Sequence, residues 1–239
     1  MPAMTASAAS DLLHAWEYGR NRHPLDRALL LYALALPETN PDLLADQPLG
    51  RRNAALLQLR LETFGPRLRA YLDCPQCGER LEFEQNASDL LDVQPTASFP
   101  VVVDGFHFRP PNSRDLAQIV GEPDVELAAH ALLQHCLIPT DDAQSIDDAM
   151  LPSIDRVESA LEESDPLADL SFDFTCEMCK HVWSAPFDIA HYLWEEVEAQ
   201  ATRLLDDVHH LAQAYGWREQ DILALSELRR TAYLERVLA

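Results

Sequence analysis

Two short stretches, Cys74-Pro-Gln-Cys-Gly-Glu79 and Cys176-Glu-Met-Cys-Lys-His-Val-Trp183, decide the fold of this chain. Each contains two cysteines separated by two residues, which places two thiolates on one tight turn. Both sulfurs of such a turn can reach one tetrahedral ion at about 2.3 Å, and two turns complete a closed, structural type of site. The sequence therefore predicts one structural zinc ion bound by Cys74, Cys77, Cys176 and Cys179.

The flanking residues are typical of a zinc ribbon. Leu81-Glu-Phe-Glu84 and Leu170–Cys176 have the alternation of strands. Gly78 frees the backbone to turn toward the sulfurs of the first pair, whereas Lys180 stands at the same place after the second. An ordinary ribbon separates its two pairs by roughly 15–20 residues, but about a hundred lie between them here. The metal would then tie together the two ends of a helical insertion and constrain the unfolded chain strongly.

Two other interpretations of the cysteines stay open. A thioredoxin-type pair would be a redox centre, but such a pair begins a helix, and both turns here lead into strand-like sequence. The metal could also be lost in this protein, or His181 could replace one sulfur as a ligand. The fifth cysteine, Cys136, lies in an apolar stretch, and we expect it to be a buried residue that acts as a small hydrophobe.

Composition and charge limit the function classes. The chain has 239 residues, of which 47% are hydrophobic, and its formal net charge is −22. Lys and Arg supply most nucleic-acid affinity by neutralising phosphates, so we expect neither nucleic acid nor an anionic membrane as a partner. The acidic surface favours solubility or the steering of a basic protein partner. With no membrane-spanning run and no signal peptide in the sequence, we expect a cytoplasmic protein.

Periodicity predicts a mainly α protein with a small antiparallel β zinc-ribbon-like element, an α+β fold. Helices are expected near residues 25–36, 50–64, 125–137, 146–161 and 187–215, with a hairpin at Asp104-Gly105. We divide the chain into a helical region (1–70), a ribbon element (71–111 and 165–186), an inserted helical block (112–164), and a long helix followed by two short helices (187–239).

Motifs of the common enzyme classes are missing from the sequence. There is no Gly-rich phosphate loop, no G-x-S-x-G and no H-E-x-x-H. A zinc ion held by four cysteines has no open coordination position and would not activate water. Acidic pairs such as Glu162-Glu163 are interpreted as solvated helix faces. We therefore expect a protein that is not an enzyme and has no catalytic residues.

Five motifs follow one another along nearly the whole chain: Pro48-Leu-Gly-Arg-Arg-Asn53, the first cysteine turn, Phe108-Arg-Pro-Pro-Asn-Ser-Arg-Asp-Leu116, the second cysteine turn, and Tyr215-Gly-Trp217 with the segment after it. In this order they resemble a family of baseplate and tail-assembly proteins of contractile-tailed phages and phage-derived contractile injection systems, often labelled T4-type baseplate proteins. Two residues depart from the family pattern: Lys180 replaces a usual glycine, and Arg218 replaces a usual capping residue.

The resemblance implies a non-enzymatic role with baseplate, hub or tail proteins as partners. The protein would be an assembly chaperone, or a permanent baseplate subunit carried in the particle, and an adaptor that loads cargo into the injection tube is a third role. A zinc or thiol enzyme is the alternative from another class. The terminal helices either pack on the long helix of the same chain or insert into a partner groove. The candidate partner-binding residues are Trp217, Ile222, Leu223, Leu225, Arg229, Arg230, Tyr233 and Leu234.

Overall fold

A computed structural model of the protein describes residues 6–93, 99–139 and 152–238. The fold is mainly helical with small antiparallel sheets, as predicted. The helices are α1 (Ala6–Gly19), α2 (Pro24–Ala35), α3 (Pro41–Leu44), α4 (Leu49–Phe64), α5 (Ala87–Leu91), α6 (Ser113–Ile119), α7 (Val125–Cys136), α8 (Ile154–Ser164), α9 (Ile189–Tyr215), α10 (Glu219–Leu223) and α11 (Glu227–Leu238).

The strands form three separate antiparallel sheets among the described residues. Strands β1 (Arg67–Asp73) and β2 (Arg80–Asn86) make one hairpin, and β6 (Ser171–Thr175) and β7 (Val182–Pro186) make another. Strands β3 (Val101–Val103), β4 (Phe106–Phe108) and β5 (Leu137–Ile138) form a three-stranded sheet. The ribbon-like element therefore consists of two hairpins without backbone ladder bonds between them, one before the insertion and one after it.

Helix α9 is the centre of the main core, and α1, α2, α4, α10 and α11 contact it. One apolar stripe of this helix is buried over most of its length, because its residues are at most 3% exposed: Ile189, Leu193, Val197, Leu204 and Leu211. This spacing of three, four or seven residues keeps one face of the helix toward its neighbours. The stripe ends at Tyr215, which is 40% exposed.

A second, smaller core lies inside the insertion. The sheet β3–β4–β5 packs on α8 through Val101, Val103, Phe108, Val157 and Leu161, with Cys136 among them. The hairpin at residues 101–108 thus belongs with the inserted helices, whereas our division placed it with the ribbon. Pairing with β5 explains the difference, since β5 directly follows α7 and the pairing partner of a strand cannot be read from periodicity.

Helix boundaries follow the local signals where these are strong. Pro24 is the first residue of α2, and Gly216 ends α9 with a φ of 66°. Asn112 and Asp115 form a capping box at the start of α6. Helix α1 has 14 residues. The helix predicted from Ile146 begins at Ile154 in the described part of the chain, and residues 146–151 lie outside that part.

In the part of the chain that the structure describes, no helix is both long enough and apolar enough to cross a membrane.

Candidate metal centre

The four predicted ligands meet in space. The sulfurs of Cys74 and Cys179 are 3.6 Å apart, as are those of Cys77 and Cys176, and all four lie within 4.8 Å of one another. A tetrahedral ion with metal–sulfur bonds of about 2.3 Å holds its sulfurs about 3.8 Å apart. All four thiols are free, and these separations far exceed a disulfide bond. The cluster therefore fits a single tetrahedral ion, with each hairpin supplying two ligands.

Matching backbone hydrogen bonds shape the two turns, which we call the first knuckle (Cys74–Glu79) and the second knuckle (Cys176–His181). In the first knuckle the Cys74 amide donates to the Glu79 carbonyl at 2.8 Å, and the Gly78 amide donates to the Cys74 carbonyl at 2.9 Å. In the second knuckle the amides of Cys176 and Lys180 make the two equivalent bonds, both at 2.9 Å. These bonds place the two sulfurs of each knuckle on the same side of its turn.

Burial is graded within each knuckle. The first cysteine of each pair is buried, with Cys74 2% exposed and Cys176 0% exposed. The second cysteine is more accessible, since Cys77 is exposed and Cys179 is intermediate. The backbone N–H groups of Cys179 and Met178 donate to the Cys176 sulfur and lower the pKa of that thiol to about 7. In the Cys77 thiol, the hydrogen bond from the Glu79 backbone lowers the pKa, but hydrogen bonds with the neighbouring thiols outweigh it and raise the pKa to about 12. A metal ligand must be deprotonated, so backbone donors aimed at sulfur favour the ligating form.

An aromatic cluster joins the two hairpins beneath the sulfurs. The Phe83 ring of β2 lies 5.8 Å from Phe172 and 5.1 Å from Phe174 on β6. Phe174 continues the contact to Trp183 on β7, and Phe172 continues it to Phe187 at the start of α9. Aromatic pairs at such separations add about 0.5–1.5 kcal/mol each to the burial of their area. The hairpins are therefore held together by side chains as well as by any metal.

The hairpins are also fixed to the helical body. The Tyr192 hydroxyl of α9 accepts from the Arg69 amide at 3.0 Å and donates to the Arg69 carbonyl at 2.9 Å, which closes the outer edge of β1. Arg60 of α4, 3% exposed, pairs with Glu196 of α9 at 2.8 Å and donates to the Arg67 carbonyl. The bases of the two hairpins thus lie where the chain leaves α4 and where it enters α9, and the cysteines lie at the opposite ends of the hairpins.

Two of the three motifs outside the cysteine turns on which the family resemblance rests contact each other. Pro48 forms a bridge with Asn112, and the Leu49 amide donates to the Pro111 carbonyl at 3.0 Å. Arg52, which is 7% exposed, donates to the Ser113 hydroxyl at 3.1 Å. The start of α4 is therefore bound to the start of α6, and this contact holds the insertion on the N-terminal helices.

Two charged side chains secure the same junction. Arg109 donates to both carboxylate oxygens of Asp115, at 2.6 Å and 2.8 Å. Burial alone would raise the pKa of Asp115, but the Arg109 guanidinium reverses this effect and lowers it. Gly50 lies close to Asp165 on the other side, since a Cβ there would lie 1.7 Å from a carboxylate oxygen and the Asp165 side chain would have to shift. The Gly50 amide donates to that carboxylate at 3.0 Å.

The candidate partner-binding residues divide into buried and accessible groups. Ile222 and Leu223 are 0% and 8% exposed, and α10 contacts α9. Arg230 is 4% exposed and pairs with Asp207 of α9 at 2.7 Å. A partner docking on the chain as folded here would not reach these three residues. The remaining five are exposed or partly exposed: Trp217, Leu225, Arg229, Tyr233 and Leu234.

The aromatic members of that segment contact one another. Trp217 stacks on Tyr215 with ring centroids 4.7 Å apart, and it meets Tyr233 edge-on at 4.9 Å. Arg218 stands at the N-cap of α10 and makes no capping hydrogen bond with its side chain.

Two further residues considered from the sequence, Cys136 and His181, have defined positions in the structure. Cys136 is 0% exposed, as predicted, and burial raises the pKa of its thiol to about 12. The His181 ring stacks on Trp183 at 5.7 Å. Among the described residues, the four cysteines form the only group of three or more His, Cys, Asp or Glu side chains close enough to share an ion.

Several residues that build the site were missed in the sequence. Tyr192, Arg60 and Glu196 carried no local signal, because each acts on a residue far away in the chain. A signal did exist for the aromatic cluster. Phe83, Phe172 and Phe174 occupy alternate positions of strand-like segments next to the knuckles, which places their rings on one face of each hairpin.

Comparison with known proteins found no match to the chain among protein-family models, curated proteins or solved structures.

Proposed function

We propose that this chain is a non-enzymatic assembly factor, a chaperone for the baseplate or hub of a contractile phage tail or phage-derived contractile injection system, with a structural zinc ion. The observation that carries the proposal is the ordered set of family-like motifs. Support comes from their positions, since the motif at residues 48–53 contacts the motif at 108–116, and the two cysteine motifs converge on one cluster.

The choice of zinc rests on ligand chemistry. Four thiolates at tetrahedral separations suit Zn²⁺ or iron, and both are bound by Cys₄ sites. Zinc is preferred because it forms closed structural sites of this kind without redox chemistry. Metal analysis of the native protein, with thiol titration, tests the assignment. One zinc per chain with four thiols protected until a chelator is added supports it, whereas iron or four reactive thiols would contradict it.

The assembly role is tested in the host that encodes the chain. Affinity purification should recover baseplate, hub or tail proteins, and deletion of the gene should yield incomplete or non-contractile particles. Mature particles should lack the protein. Its presence in them at fixed stoichiometry would instead favour a permanent baseplate subunit, and recovery of a cargo toxin without baseplate proteins would favour a cargo adaptor.

The enzyme alternative has its own test. A closed four-cysteine site leaves no position for water or substrate, so a zinc enzyme would require fewer than four sulfur ligands. A thiol enzyme would require a reactive thiolate, and Cys136 is fully buried. Rapid modification of a single cysteine in the metal-loaded protein would contradict the structural assignment.

A further inference from the structure

A groove with a volume of about 730 Å³ separates the N-terminal helices from the insertion. We call it the insertion groove. One wall comes from α2, α4 and α9, and the other from α6, α7 and α8. Its apolar lining includes Leu25, Leu49, Leu116, Leu132, Leu133 and Trp194. The two sides are joined where α4 contacts α6, and also where Gly50 and Asn53 of α4 donate hydrogen bonds to the segment that follows α8.

Helix α7 presents the partly buried Ala129, Leu132 and Leu133 to the groove, whereas its most exposed apolar residues, Val125 and Leu127, lie outside the groove lining. Eight of its twelve residues, Val125-Glu-Leu-Ala-Ala-His-Ala-Leu-Leu-Gln-His-Cys136, are apolar, yet Cys136 is the only one that is buried. Leu132 and Leu133 face the groove and are only partly buried. A helix of this composition is normally covered on its apolar face. The structure thus presents an apolar wall that a partner side chain can cover.

Acidic side chains line the groove on the side of α8. Glu158 and Glu162 are exposed one turn apart on that helix, and Asp165 and Asp169 follow it. In the described part of the chain, no Lys or Arg nitrogen lies within 4.0 Å of any of these four carboxylates. The groove therefore carries negative charge that the chain itself does not neutralise.

The two arginines of the groove are already engaged. Arg27 donates to the carbonyls of Gly19 and Arg20 and lies over the Trp194 ring. Arg52 donates to Asn53 and Ser113. Both groups are held on the wall opposite α8, so they do not offset the carboxylates there.

Of the four carboxylates, Asp165 has the least favourable environment for a negative charge. Asp165 is partly buried, and burial raises the pKa of its carboxyl. Among the described residues, the one hydrogen bond to its carboxylate comes from the Gly50 amide. A buried charge without a counter-charge is unfavourable. A cation placed beside it would relieve that cost.

We propose that the insertion groove binds an amphipathic helix of a partner protein, with its apolar face on Leu132 and Leu133 and its Lys or Arg side chains beside Glu158, Glu162 and Asp165. Helix-in-groove recognition uses this combination of apolar anchors and flanking charge. A second copy of this chain is disfavoured as the occupant, because two molecules of net charge −22 repel each other. The inference rests on the proposed assembly function, which it extends by naming the kind of segment bound.

The probe for the test is a fluorescein-labelled 18-residue peptide of leucine, alanine and lysine with its leucines on one helical face. Two companions have the same leucines with glutamate for lysine, and the same composition in a scrambled order. Fluorescence anisotropy with the full-length, metal-loaded protein should show the amphipathic lysine peptide binding at least tenfold more tightly than either companion. No saturable binding below about 1 mM would overturn the proposal.

Matched variants separate groove binding from general charge attraction. The double variant Glu158→Lys/Glu162→Lys should weaken binding of the lysine peptide at least tenfold. The control Glu195→Lys/Glu198→Lys reverses two exposed carboxylates on α9 outside the groove, changes the net charge equally, and should alter binding less than twofold. Equal losses in the two double variants would show non-specific attraction and overturn the proposal.

A second pair of variants tests the apolar wall without changing charge. Leu132→Ser should weaken the lysine peptide at least fivefold, whereas Leu127→Ser, at a residue 57% exposed on the same helix and outside the groove lining, should not. Unchanged circular dichroism and melting temperature are required of each variant. If the two substitutions weakened peptide binding equally, the peptide would not bind along Leu132 in the insertion groove, and the proposal would be wrong.

Photocrosslinking in the native host distinguishes this inference from the assembly role. A photoreactive residue at position 132 should crosslink a tail or baseplate protein through a basic helix, and one at position 127 should not. Specific peptide binding together with crosslinks only to proteins unrelated to a contractile particle would uphold the groove and refute the assembly function. Crosslinks to particle proteins, together with failure of the peptide and variant tests, would refute the groove alone.

Discussion

The first and second knuckles reach the same geometry with different residues. Each has the same pair of backbone hydrogen bonds, a buried leading cysteine and a more exposed second cysteine. The residue after the second cysteine is left-handed in both, with a φ of 74° at Gly78 and 62° at Lys180. The left-handed conformation is open to glycine at little cost, whereas for a residue with a Cβ it costs about 1–2 kcal/mol.

This difference shows what the fold tolerates. The second knuckle keeps its shape with a strained Lys180, because the hydrogen bonds of the turn and the convergence of the hairpins over-determine its backbone. The knuckle shape is therefore a property of the two-hairpin arrangement rather than of a glycine in each turn.

The largest expected effect comes from removing one ligand in each knuckle separately. Cys74→Ser and Cys176→Ser should each lose the metal and lower the free energy of unfolding by roughly 5 kcal/mol or more, because the metal closes a loop of about a hundred residues. Differential scanning calorimetry with metal analysis measures this. Cys136→Ala is the matched control, expected to retain one metal per chain and to cost about 1–2 kcal/mol.

Equal effects in the two knuckles would establish them as equivalent halves of one site. A melting temperature of Cys176→Ser equal to that of the natural chain would refute the idea that the metal links the two hairpins into one unit. Retention of metal by Cys74→Ser alone would show that the knuckles are not equivalent.

Gly78→Ala should destabilise the first knuckle by about 1–2 kcal/mol. A Cβ at this position meets no atom within 4 Å, so the cost is that of the left-handed backbone alone. Chemical denaturation of the metal-loaded protein measures it. Gly121→Ala, at another glycine with open space and without a left-handed φ, is the control and should be neutral or slightly stabilising.

Lys180→Gly should have the opposite sign in the second knuckle, with a gain between zero and about 1 kcal/mol. Relief of the left-handed strain favours the folded state, but the greater freedom of glycine in the unfolded chain offsets part of it. The same denaturation experiment applies, and Lys180→Ala, which keeps the Cβ, is the control. A loss of stability on Lys180→Gly would mean that the lysine side chain itself stabilises the turn.

The smallest effect is expected at His181. Its ring stacks on Trp183 rather than joining the sulfurs, so His181→Ala should retain one metal per chain and change the free energy of unfolding by less than about 0.5 kcal/mol. Glu79→Ala at the equivalent position of the first knuckle is the control. Loss of metal in His181→Ala would show that the imidazole is a ligand. The same conclusion would follow if Cys179→Ser kept the metal and the double variant Cys179→Ser/His181→Ala lost it.

Much of the fold was predictable because its signals are local. The capping residues Asn112 and Ser226, the stop at Gly216 and the turn at Asp104-Gly105 act on atoms within a few residues. The stripe of α9 was predictable for the same reason, since helical spacing is a property of one segment. The four-cysteine cluster was predictable because the residue type and the two-residue spacing within each pair belong to the local sequence.

The remainder depended on contacts between distant segments. The pairing of β4 with β5 and the burial of Ile222, Leu223 and Arg230 could not be read from periodicity. The local sequence around an apolar or basic residue does not reveal whether that residue packs on a helix of its own chain or on another protein. The packing of α10 and α11 on α9 shows that these three residues contact the chain's own helix.

The sequence by itself therefore determined the ligand set, the mainly helical class and the acidic charge, because each depends on residue identity and short-range spacing. The tertiary structure alone decided that the two knuckles converge at sulfur separations of 3.6 Å, that aromatic rings join their hairpins, and that a groove remains between the body and the insertion. These features depend on how elements about a hundred residues apart pack, and that packing is fixed only when the whole core forms.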